Sequence, residues 1–182
     1  MRQRIELLDF WRSLCLLAMI GFHFCYDLML FGRIPESVMH SLPARLIAWD
    51  LGGCFILISG ICVRFSRDPL RRGFIVFCAG AAVSAVTTLM GVPVVFGILQ
   101  MISLCMILYG LLRERIERHI GGRFAAVNLV LFAATWFLTS RRTVDIKFLY
   151  PFGLRPADFF SADYWPVFPW IFLFLIGMFF GK

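Results

Sequence analysis

The sequence predicts an all-α fold, a polytopic transmembrane bundle of about six spans with its N-terminus in the cytoplasm. Three observations predict it. Sixty per cent of the 182 residues are hydrophobic and the mean hydropathy is +0.84, where soluble chains run at about 45–50% apolar. The apolar residues fall in runs close to the ~20 that a bilayer requires. Most of the 18 basic residues sit in short connections between those runs, as membrane orientation signals do. Spread this way, a net charge of +7 excludes a nucleic-acid groove, which gathers basic side chains on one face.

A single membrane domain accommodates spans at roughly 9–31, 43–63, 72–91, 93–112, 124–140 and 165–181. The first is too long for a signal peptide, carries Arg12, and has no small-residue cleavage site after it. The second holds Asp50 near its start, then Gly52, Gly53, Ser59 and Gly60, small residues that let helices or a ligand approach closely. Gly91-Val92-Pro93 makes a tight hairpin between the third and fourth. The fifth and sixth are short. Residues 141–164 form a connection long enough to cover a site mouth. The sixth span opens on Trp165, Pro166, Pro169 and Trp170, an interfacial belt whose prolines free backbone groups near a watery mouth. The chain ends at Gly181-Lys182 directly after an apolar run, which leaves open whether a seventh span follows.

The basic segments 64–72 and 113–123 are expected inside, together with Arg2, Arg4 and Lys182. Arg33, Arg45, Arg141, Arg142, Lys147 and Arg155 fall outside, and the asymmetry favours both termini in the cytoplasm. The six cysteines all lie in apolar runs with no CxxC pair. They read as small core residues, with no disulfide and no metal site expected. His119, among Arg113, Arg115, Glu117 and Arg118, reads as part of a solvated face.

The chemistry is expected on the first span, on a polar stripe turned inward, away from lipid, around a wet cavity. An arginine at mid-bilayer costs roughly 2.5 kcal/mol or more, so Arg12 needs compensation. At 100° per residue, His23 returns to within about 20° of Arg12, and Asp9 and Asp27 fall on the same side. Asp27, four residues after His23, is placed to hold the imidazole tautomer and stabilise its protonated form, as a general base requires; a histidine acting as packing glue between helices is the plain alternative. Arg12 either pairs with Asp9 and marks the membrane boundary or faces phosphate or carboxylate groups of a substrate. His40 lies in the first outside loop. Asp50 needs a partner near the membrane, and Arg45 is the nearest in sequence. Gln100, in the fourth span, either orients a substrate group or bridges helices.

These segments resemble a known family, the bacterial relatives of the heparan-α-glucosaminide N-acetyltransferase catalytic domain, itself related to the acyltransferase-3 group. Asp9-Phe10-Trp11-Arg12 followed by His23-Phe24-Cys25-Tyr26-Asp27-Leu28 is similar to the family's Asp-x-x-Arg and His-Phe-x-Tyr-Asp-Leu opening. The Arg-x10-His spacing is similar to the acyltransferase-3 signature. Phe96-Gly97-Ile98-Leu99-Gln100 resembles a Gly-[Ile/Val]-Leu-[Gln/His] segment. Asp163-Tyr164-Trp165-Pro166, Pro169-Trp170 and Gly177 resemble the closing pattern, and His40, ten residues before Asp50, resembles the animal enzyme's loop histidine and the acid that opens its next span. Ser13 replaces the usual glycine after the arginine, and the chain is shorter than the animal enzyme.

The resemblance implies a membrane acyltransferase moving an acetyl group from acetyl-CoA to a hydroxyl or amine of a sugar or similar small acceptor, in a bacterial inner membrane. His23 would act as base oriented by Asp27, and an acetyl-histidine on His23 or His40 is a variant. Arg12, with Asp9, would favour the CoA side; His40 and Asp50 would meet the acceptor. Acyl-CoA, the acceptor and the bilayer are the expected partners, and a homodimer stays open. Two other classes fit the stripe: a small proton-coupled transporter or flippase, and a non-catalytic subunit that docks a partner protein.

Overall fold

A computed structural model describes residues 6–140, 143–144 and 146–181, with Lys147 by its backbone alone. Arg2, Arg4, Arg141, Arg142 and Lys182, used above for orientation, lie outside the described residues, as does the side chain of Lys147. The fold is all-helical: α1 (Glu6–Leu30), α2 (Glu36–Met39), α3 (Leu42–Val63), α4 (Pro69–Leu89), α5 (Ile98–His119), α6 (Gly122–Ser140), a 3₁₀ turn over Lys147–Phe152, and α7 (Val167–Phe180). Among the described residues α1, α3, α4 and α6 are long and apolar enough to cross a membrane, and α7 is a shorter apolar helix.

The chain divides into two compact units, 1–58 and 59–182, and the division falls inside α3. In the first unit, Gly32 takes φ +68°, a conformation that glycine adopts without steric cost. The turn there, with Arg33 N–H donating to Leu28 O at 2.8 Å, folds α2 back onto the end of α1.

In the second unit α5 is the central helix, with Met101, Ser103 and Tyr109 at 1% exposure or less. It packs most extensively on α4, and α6 packs on α7. Small residues make the α4–α5 contact close. A Cβ on Gly73 would meet Ile107 Cγ1 at 2.8 Å, and one on Gly80 would meet the Gln100 side chain at 3.1 Å. Without a hydrophobic driving force between helices in lipid, such close backbone approach supplies the association. On the other flank, Trp170 of α7 packs edge-on against Phe132 and Trp136 of α6, at 5.8 and 5.6 Å between ring centroids.

Three helices start three or more residues from the expected spans: α1, at Glu6 rather than 9, and α4 and α5. α4 begins at Pro69, three residues before the predicted 72, because Asp68 caps it: its carboxylate accepts from Arg71 N–H at 2.9 Å, and Pro69 occupies the first turn, where its missing N–H costs nothing. α5 begins at Ile98 rather than 93 and continues through the charged residues to His119. Gly91 does turn the chain, at φ +78°. Residues 92–97 then run as a non-helical strap.

Candidate functional site

On α1 the packed side is set by Cys15 and Met29, both buried, with Leu8, Met19, Phe22 and Tyr26 half-buried; Leu28, half-buried too, lies off that side, and its carbonyl accepts from Arg33 N–H. The six on the packed side recur at helical spacing within about 40° of Cys15. Arg12 and His23 lie roughly 60–80° round from that seam, and Asp9 and Asp27 roughly 120°. The four residues share one side of α1, a shoulder beside the packed seam, but all four are exposed, not turned inward around a cavity as expected.

Arg12 pairs with Asp9 one turn back, Nη1 to Oδ1 at 3.5 Å, both about half exposed. The His23 ring stands edge-on to Phe22 at 6.4 Å. No hydrogen bond joins His23 to Asp27 among the described residues. Eleven residues of rise separate Arg12 from His23 by about 16 Å along the axis, so the cation and the imidazole mark two stations of one face.

His40 is the C-cap of α2, exposed, with its backbone N–H on Glu36 O. It sits toward the same end of α1 as Asp27, because α2 folds onto that end. Asp50 is exposed on α3, within the same compact unit as α1. Its expected neighbour Arg45 instead stacks over the Trp49 ring at 5.2 Å.

Gln100, 7% exposed, bridges helices. Its amide nitrogen donates to Gly80 O at 2.9 Å and to Ser84 Oγ at 2.6 Å, and its oxygen accepts from Gly97 N–H at 3.0 Å. Both donors are committed to α4, so of the two readings open in the sequence the helix bridge is the one this geometry carries.

Two clusters went unread in the sequence. The first joins the two motif segments 65 residues apart. Asp163 Oδ2 accepts from Ile98 N–H at 3.1 Å, so it caps α5, while Oδ1 accepts from Trp165 Nε1. Trp165 N–H donates to Phe96 O at 2.9 Å, Ala162 N–H to Pro93 O at 3.0 Å, and Val95 N–H to Ser161 Oγ at 3.0 Å. The 92–97 strap thus pairs with 161–165, and this satisfies backbone groups that lack helical partners. Tyr164 donates its hydroxyl to Tyr150 O at 2.6 Å. Burial pushes its phenol up to about 12, against the opposing pull of Arg155, so it acts as a donor and not as a base. An acid directly before an aromatic, proline-rich span entry was the available signal.

The second cluster ties three helices. Arg64, just after α3, donates from Nε and Nη2 to both Glu117 oxygens and from Nη1 to Met178 O at 3.1 Å. Tyr109 donates to Glu117 Oε1 at 2.8 Å. The fork-to-fork pair accounts for Arg64 structurally. The Arg64 guanidinium holds the Glu117 carboxyl below its ordinary 4.5, with burial opposing. Since the folded value lies below the unfolded one, the pair contributes fully above about pH 4.5, and its contribution fades as the pH falls through the folded value. Melting temperature is accordingly expected to drop on acidification below about pH 4.5, and Glu117→Gln to lower it at neutral pH while flattening that acid dependence.

A described set of helices in which four are long and apolar enough to cross a membrane points to an integral membrane protein, and one of them carries a cation, an imidazole and two carboxylates on an exposed side. The family model for heparan-alpha-glucosaminide N-acetyltransferase, catalytic, matches residues 4–182, and the chain belongs to that family. The class is that of a membrane acetyltransferase-type protein. Neither the curated proteins nor the solved structures give a match.

Proposed function

We propose that the protein transfers an acetyl group from acetyl-CoA to a hydroxyl or amine of a sugar or similar small acceptor, using the exposed shoulder of α1. The observation that carries the reading is the arrangement Arg12–His23–Asp27 on one side of a membrane helix, with Arg12 and His23 about 16 Å apart, in a chain of this family. An extended donor with phosphates at one end and a thioester at the other suits two such stations.

His23 accepts the proton of the acceptor's O–H or N–H as that atom attacks the thioester carbonyl. The new C–O or C–N bond forms, the C–S bond breaks, and the thiolate that leaves takes up a proton. Asp27, one turn on, stabilises the imidazolium that forms between these steps. Arg12 meets donor phosphate, with Asp9 holding the guanidinium in place until the donor arrives. His40 and Asp50, in the same unit, offer acceptor contacts. Gln100 acts at one remove: it fixes α5 against α4.

Acetyl-CoA binding to the purified protein tests this. Arg12→Ala is expected to weaken it by about tenfold or more, the worth of one charge-assisted contact. Unchanged affinity removes Arg12 from the donor site, and no binding by the wild type defeats the reading.

A further inference from the structure

A groove of about 600 Å³ runs between α4 and α5, lined by Leu70, Arg71, Phe74, Ile75 and Ile107. Four of these five are apolar, and Phe74 and Ile75 are 63% and 57% exposed. The fifth, Arg71, uses its backbone N–H on Asp68, while its guanidinium has no carboxylate partner among the described residues. Arg67 and Arg72 on either side are exposed in the same condition. Asp68, the one acid of the segment, is committed to the helix cap.

We propose that this groove seats an acyl chain of an anionic phospholipid, with the headgroup phosphate on Arg71 and with Arg67 and Arg72 adding to the field. Depth supports that occupant. The 21 residues of α4 rise about 31 Å, close to the ~30 Å of a hydrocarbon core. Arg71, in the first turn, therefore lies at headgroup level, and Phe74 and Ile75 lie about 5 Å deeper, among the chains. Leu70 aside, the groove is basic at headgroup depth and apolar below it, the polarity of a phospholipid. Charge complementarity selects the anionic kind, since juxtamembrane basic clusters attract anionic headgroups. Acetyl-CoA carries phosphates as well, but it has no long chain to fill the apolar part.

Native mass spectrometry of the full chain, released from detergent with phosphatidylglycerol or phosphatidylcholine added, tests the proposal. Phosphatidylglycerol is expected to be retained over phosphatidylcholine by about fivefold or more. Arg71→Ala should erase that preference, and Ile75→Trp, which fills the groove from an exposed position, should lower retention of both lipids. Melting temperatures close to wild type keep both variants interpretable. Equal retention of the two lipids overturns the proposal, as does a preference that survives both variants. So does displacement of the bound lipid by acetyl-CoA, which would assign these arginines to the donor.

Discussion

His23→Ala is expected to lower kcat for acetyl transfer by about 10²–10⁴-fold, the usual worth of a positioned general base. The KM for acetyl-CoA should change little, because Arg12 stands about 16 Å away along the helix and donor contacts survive. That split separates a base from a packing residue. His23 is exposed on α1, so its truncation opens no cavity and should leave the melting temperature near wild type. Asp27→Asn should lose less, since it keeps the side chain's shape and removes only its charge. Steady-state kinetics beside a thermal melt reads both. A parallel rise in KM with unchanged kcat would move His23 from the chemistry to substrate binding.

Gly60→Ala is expected to destabilise the protein by about 1–3 kcal/mol, the range for overpacking a close contact. A Cβ there would collide with the carbonyl oxygen of Phe174 and lie 3.2 Å from Gly177 Cα. Both are backbone atoms of α7, which cannot swing aside as the end of a side chain can. Gly21→Ala is the control. Nothing lies within 4 Å of that position, and alanine in a helix interior gains up to about 1 kcal/mol over glycine. One substitution should therefore lower the melting temperature and the other hold or raise it. Equal behaviour would contradict the α3–α7 contact.

Much of the fold was legible because a bilayer forces lipid-facing surfaces to be apolar over a fixed length. The runs at 9–31, 43–63 and 124–140 correspond closely to α1, α3 and α6 for that reason. Helix ends were less legible. Asp68 and Pro69 form a cap that hydropathy does not register. The last turns of α5 are charged: Arg118 Nε bonds Glu114 O at 3.0 Å, and a His119 ring nitrogen lies 2.7 Å from Arg115 O, so the helix persists where apolar patterning stops.

In the candidate site, the common side shared by Asp9, Arg12, His23 and Asp27 followed from the helical period alone. Contacts between distant segments did not. Arg64 and Glu117 are 53 residues apart, and each read as one more charge in a basic loop. Asp163 and Ile98 are 65 apart, and the two motifs that contain them gave no sign of touching. Gln100 was open between two roles because its type serves both, and only the positions of Gly80 and Ser84 distinguish them.

The most direct measurement is product stoichiometry with wild-type protein reconstituted in bilayers, supplied with acetyl-CoA and a panel of hexosamine acceptors. Free CoA and acetylated acceptor should appear in equal amounts, and neither without protein. Acceptor or proton crossing the bilayer with acetyl-CoA left intact would contradict acetyl transfer and favour a transporter built on the same polar shoulder.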